Sequence, residues 1–264
     1  MSILDEILAH KRGEIEAAKR AVPLERLLEA AHAQPRARGF AAALRTPAEA
    51  AAPKLIAEIK RVSPAKGALN LTMDVRAMAA LYEAAGAAAI SVLTDERFFS
   101  GSLDDLRAVR ATVSLPVLRK DFVLDAYQLA EARAAGADAA LLIVAAFDEP
   151  LPAIRSLLGT ARELGLDCLV EVHDEGELDA ALEARAEVIG VNNRNLKTFE
   201  VSLDVTERLA PRVPAATILV SESGIASGAE AQRVRRAGAS AILVGSAIVS
   251  AADPAAKVRE LAGR

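Results

Sequence analysis

From about residue 54 onward, short apolar runs alternate with amphipathic stretches. The apolar runs are 55–59, 87–93, 116–118, 139–144, 168–172, 188–191, 217–220 and 241–244, and stretches such as 75–85, 103–111, 126–135, 154–164 and 229–237 between them carry helical periodicity. Gly86, Gly136, Gly165 and Gly238 follow four of those stretches, where a helix that ends in a left-handed turn places glycine. Near-continuous apolar strands alternating with helices predict a parallel sheet covered on both faces. Eight such units predict one closed (β/α)8 TIM barrel over residues 54–264, within a single domain of 1–264. An open doubly wound sheet is the competitor, but no GxGxxG follows the first strand. Residues 1–50 read as an N-terminal helical extension broken at 35–39; the pattern leaves open whether it caps the barrel's bottom or folds over its top.

Composition narrows the class. Of the 264 residues 52% are hydrophobic, enough for a large core, and the net charge of −4 comes from dispersed charges, so a nucleic-acid partner has no electrostatic footprint. The lone Cys168 excludes an internal disulfide, and His10, His32 and His173 lack metal-ligand spacing. No segment approaches the ~20 apolar residues that span a bilayer, and the charged N-terminus lacks an apolar signal core. A cytoplasmic location without a membrane partner is the expectation.

Barrel active sites lie at the C-terminal strand ends and in the loops beyond them. Strand one ends Glu58-Ile59-Lys60, and strand alternation puts both charges on one face. Strand three ends at Lys120, strand five passes through Glu171 and strand six reaches Asn192. One charge at a strand end is ordinarily just solvated; four strands ending this way predict two lysines, two carboxylates and an amide around one mouth. A lysine beside another cation is expected to have a lowered pKa and to donate a proton near neutrality. Cys168 has the opposite parity to Glu171 and should face the helices, whereas His173, just past strand five, reads as a loop or cap residue.

The loops after strands seven and eight contain Ser223-Gly224 and Gly245-Ser246. Glycine lets backbone N–H groups approach an anion, serine adds a hydroxyl, and these two loops form the recurrent phosphate site of such barrels. After strand one, the segment from Arg61 to Gly67 could close over an anion through Ser63 or Lys66, or be only a turn. Phe98 and Phe99 stand at the rim, either as a stacking surface for an aromatic ligand or as packing between loops.

Seven segments then carry a resemblance: AEIKRVSPAKG (57–67), LTDERFFSGS (93–102), PVLRKDF (116–122), LVEVHDEGEL (169–178), IGVNNRNL (189–196), SESGI (221–225) and VGSAI (244–248). Together they resemble the indole-3-glycerol-phosphate synthase family over essentially the whole chain. The resemblance implies a cofactor-free carboxy-lyase of tryptophan biosynthesis, which closes the ring of 1-(2-carboxyphenylamino)-1-deoxyribulose 5-phosphate with loss of carbon dioxide and water. It implies Lys120 as general acid, Lys60 as partner of the substrate carboxylate, Glu171 as base, Glu58 in support and Asn192 on a substrate hydroxyl. Ser63, Lys66, Arg194, Ser223, Gly224, Gly245 and Ser246 resemble the substrate- and phosphate-binding set, with Phe98, Phe99 and Phe122 around the aromatic ring. A monomer acting on a small phosphorylated aromatic substrate, with no metal, is expected. An isomerase or decarboxylase sharing the phosphate loops is a second reading, disfavoured by the two lysines; a non-catalytic metabolite sensor is a third, disfavoured by intact acid and base positions.

Overall fold

The computed structural model describes residues 3–47, 50–65, 67–195 and 198–264. Eight parallel strands close on themselves: β1 (Lys54–Ile59), β2 (Ala89–Leu93), β3 (Val117–Lys120), β4 (Ala139–Ile143), β5 (Asp167–Val172), β6 (Val188–Asn192), β7 (Ile218–Glu222) and β8 (Ala241–Val244). β8 pairs back onto β1 with Lys54 opposite Ala241, which completes the barrel. The TIM barrel predicted from the alternating pattern is therefore the observed fold.

Alternation along the strands sorts the core into two shells. Ile56, Leu118, Leu141, Leu169, Val220 and Leu243 fill the interior, while Leu55, Ala57, Val170, Ile189 and Ile242 pack outward against the helices. Cys168 is buried in the outer shell, as its parity predicts. The four glycines expected at helix ends all adopt positive φ, between 70° and 119°. Two strands run further than their apolar patterns suggest: β3 continues through Arg119 and Lys120, and β7 through Ser221 and Glu222. Charged side chains there are carried by strand hydrogen bonding, which hydrophobicity does not report.

The extension does both things the pattern left open. α1 (Ile3–Ala21) lies against the C-terminal mouth, where Ile3, Leu4 and Ile7 form one wall of the cavity described below. α2 (Leu24–His32) runs along α4 (Ala126–Ala134), and α3 (Phe40–Leu44) closes the opposite end, with Phe40 and Leu44 wholly buried against the interior shell. Gly39 and the preceding residues form the break between α2 and α3.

Candidate active site

A cavity of about 470 Å³ opens at the C-terminal mouth. Its lining includes Glu58, Lys60, Lys120, Glu171 and Asn192, all on interior-facing positions at the ends of four strands. The Lys60 ammonium pairs with Glu58 Oε1. Lys120 Nζ lies 3.5 Å from Glu171 Oε2 and 3.9 Å from Glu222 Oε2. Asn192 Nδ2 donates to Glu171 Oε1 at 3.0 Å, and its own Oδ1 accepts the Arg194 backbone N–H at 3.0 Å.

The electrostatics correct one expectation. Burial favours the neutral amine of Lys120, but the charges of Glu171, Glu222 and Glu58 outweigh it and raise the pKa. Lys120 is therefore a stably charged ammonium at neutral pH rather than a labile one.

The two carboxyls beside Lys120 diverge. Burial opposes the charge of Glu171, yet Lys120, His173 and the Asn192 amide hold its pKa below the ordinary range. Glu222 is raised by burial, then by the charge of Glu171, with Lys120 only partly compensating. Two close carboxyls cannot both ionise cheaply, so their environments push them apart into an anion and an acid. Glu222 is the residue that the sequence reading missed. Its interior parity with Val220 is the available signal, but the apolar run ends at Val220 and hides the last turn of pairing.

Two glycines make room for these carboxylates. A Cβ on Gly190 would lie 2.1 Å from Glu222 Oε1, and one on Gly245 would lie 2.2 Å from Glu58 Oε1. Gly245 thus serves the charged floor as well as the loop.

At one end of the cavity, Ser223, Gly224, Gly245 and Ser246 line the wall, with Ser63 and Arg194 in the same lining. Ser223 and Gly224 are consecutive left-handed residues, with φ of 64° and 80°. A non-glycine residue in that region is uncommon and concentrates at functional turns. Lys66, expected to reach the ligand, lies outside the described residues.

At the other end, Phe99 and Phe122 meet with ring centroids 6.2 Å apart. Phe98 does not join them. Neighbouring residues on a helical turn point about 100° apart, and Phe98 packs edge-on against His10 of α1 with Arg97 over its face. The rim aromatics therefore divide between lining the cavity and holding α1. Phe199, with φ of 60°, also lines the mouth and was not singled out from sequence.

α1 is fastened by a buried ionic cluster. Lys11 Nζ lies 2.8 Å from Asp95 Oδ2, 3.0 Å from Asp121 Oδ1 and 2.6 Å from Glu14 Oε2. Arg119, turned outward next to Lys120, pairs with Asp121 at 3.1 Å and Glu131 at 2.8 Å. Asp121 is held well below the usual carboxylate range: burial opposes its charge, but Arg119 and Lys11 prevail. Among the described residues, no group of His, Cys, Asp and Glu is arranged to hold a metal ion.

Fold and site together define a TIM-barrel enzyme whose mouth carries a rim of serine and glycine turns, an apolar wall and a floor of lysines and carboxylates. The indole-3-glycerol phosphate synthase family model matches residues 4–261. Curated proteins of that name are similar over nearly the full length: one from Roseiflexus sp. (strain RS-1) is 50% identical, covering 99% of this chain and 98% of its own. "Indole-3-glycerol phosphate synthase 1" of Streptomyces coelicolor is 50% identical, covering 99% and 95%, and the protein of Polaromonas sp. (strain JS666) is 48% identical, covering 99% and 98%. A solved thiamine phosphate pyrophosphorylase from Pyrococcus furiosus shares the fold, with a TM-score of 0.58 at 20% identity over 79% of this chain and 93% of its own. The chain belongs to the indole-3-glycerol phosphate synthase family.

Proposed function

We propose that this barrel converts 1-(2-carboxyphenylamino)-1-deoxyribulose 5-phosphate to indole-3-glycerol phosphate, as a decarboxylating carbon–carbon lyase of tryptophan biosynthesis. The observation that carries the residue assignment is the charged floor: Lys120 stands between Glu171 and Glu222, at 3.5 and 3.9 Å, where its charge draws Glu171 toward the ionised form and burial pushes Glu222 toward the neutral one. The substrate's phosphate fits the end formed by Ser223, Gly224, Gly245 and Ser246, where Ser63 and Arg194 add donors. Its aromatic ring fits the end formed by Phe99, Phe122 and the α1 side chains.

In this reading the ring carbon that bears the carboxylate attacks the C2′ carbonyl, and Lys120 donates a proton to the developing alkoxide. Lys60 leaves Glu58 to pair with the substrate carboxylate, and Glu58 keeps it in place until then. Loss of carbon dioxide returns the electron pair to the ring and restores aromaticity. Dehydration then removes the C2′ hydroxyl together with a proton from C1′: Glu171 takes the proton, and Glu222 supplies one to the departing water. Asn192 holds the hydroxyl. Each turnover consumes one net proton from solvent, as replacement of a carboxylate by a C–C bond and carbon dioxide requires. No cofactor enters the scheme.

The proposal also takes the chain as a cytoplasmic monomer with neither nucleic acid nor membrane as partner; no described helix is long and apolar enough to cross a membrane. Indole fluorescence that appears when purified protein meets the carboxyphenylamino substrate tests the activity. Absence of signal at catalytic enzyme concentration would refute it, and light scattering of the same sample tests the monomer.

A further inference from the structure

Immediately after β5, His173 sits between two carboxylates. Its Nδ1 is 2.9 Å from Glu177 Oε2, and the same oxygen accepts the His173 backbone N–H at 2.8 Å. Its Nε2 faces Glu171 Oε1 at 3.3 Å, is buried, and makes no aligned hydrogen bond. The ring does not line the cavity; it stands behind Glu171.

These contacts constrain the ring's protonation. An ionised carboxylate only accepts hydrogen bonds, so Nδ1 must carry the hydrogen that meets Glu177. A neutral ring would then turn the Nε2 lone pair toward Glu171, setting two acceptors against each other in a buried place. A hydrogen on Nε2 replaces that repulsion with an ion pair. Burial opposes the ring's charge, but Glu171 and Glu177 together raise its pKa to about 10.

The remaining groups around Glu171 come from three strands. Lys120 of β3 approaches Oε2, Asn192 of β6 donates to Oε1, and Glu222 of β7 lies beyond Lys120 and raises the local negative charge. Glu58 of β1 acts on Lys120 and Glu222 rather than on the imidazole. Oε1 thus has two positive or donor neighbours, whereas Oε2 makes no hydrogen bond and is left to Lys120.

We infer that His173 is the positioning residue of Glu171: an imidazolium braced by Glu177 that fixes Oε1, leaves Oε2 as the basic oxygen, and keeps the carboxylate ionised. The inference rests on the assignment of Glu171 as base. Because His173 does not reach the cavity, its loss should alter the chemical step and not substrate affinity.

With only three histidines in the chain, ring ¹⁵N resonances are assignable by single substitution. In the wild-type protein His173 should carry hydrogen on both nitrogens at about pH 8, above the ordinary histidine pKa. Glu177→Gln should lower its titration by at least about one pH unit. His173→Gln should reduce kcat about tenfold with KM little changed, and move the acidic limb of the kcat–pH profile upward by about one unit, because Glu171 loses a cation that favours its ionised form. A neutral His173 in the wild type at about pH 8 would overturn the inference, as would an acidic limb that His173→Gln leaves in place. Glu171→Gln separates the two claims: an active variant sinks the base assignment itself, whereas an inactive one, alongside an unshifted His173→Gln limb, sinks only the positioning role.

Discussion

The two ends of this barrel treat buried charge in opposite ways. At the N-terminal end, Asp138 accepts the backbone N–H groups of Arg38 at 2.7 Å and Val117 at 2.8 Å, with Arg110 at 3.2 Å, and Asp167 accepts the Ala41 N–H at 2.9 Å. Those carboxylates fasten the extension and the plug helix α3 to the barrel. At the C-terminal mouth, Glu171 Oε2 and Glu222 Oε1 are buried without a hydrogen bond. Unfilled acceptors cost stability, about 1–3 kcal/mol each when buried, and persist where a ligand or a moving proton needs them. One end is built to hold, the other to react.

Three substitutions sharpen that contrast. Lys120→Ala should lower kcat by about 10³-fold or more while a substrate analogue still binds, because the proton donor to the alkoxide is lost and the two ends of the cavity are untouched; stopped-flow fluorescence and calorimetry check the pair of outcomes. Phe40→Ala at the closed end should do the reverse. Phe40 is fully buried, and its truncation should cost about 3–5 kcal/mol of stability with kcat of the folded protein unchanged, as read by denaturant titration and by assay well below the transition. Glu222→Gln should give the smallest stability change and a pH-dependent one. A carboxyl whose pKa is raised on folding contributes stability that is full below its unfolded pKa and is lost as pH rises through the folded one. The wild type should therefore weaken from the ordinary carboxylate range into mild alkali, and the glutamine variant should not, leaving it up to roughly 1–2 kcal/mol more stable at the alkaline end and at least about tenfold slower in turnover. Equal pH slopes for the two proteins would remove Glu222 as the neutral acid.

Much of this site was legible in the chain. Parity alone placed Glu58 with Lys60, and set Cys168 apart from Glu171, because a strand repeats every two residues wherever it lies. The Ser223-Gly224 turn was legible because few residue types tolerate its left-handed backbone. Phe98 and Phe99 were not separable, since adjacent identical side chains carry no sign of which one turns inward. Glu222 escaped because a charged residue closing a strand looks like the start of a loop. His173 was read as a loop or cap residue because it lies just past the strand, and parity does not show that its ring stands between Glu171 of its own strand and Glu177 in the first turn of α5 (Glu175–Glu183).

The sequence by itself determined the closed alternation of strands and helices, the face on which each chemical side chain stands, and the family to which those faces belong, because all three are written in short-range periodicity and motif. Only the tertiary structure decided that α1 covers the mouth while α3 seals the base, that Lys120 keeps its proton instead of yielding it easily, and that Glu171 and Glu222 take opposite charge states. Those outcomes depend on burial and on carboxylates brought together from β1, β5 and β7, and Coulomb interactions act over distances in space that separation along the chain does not reveal.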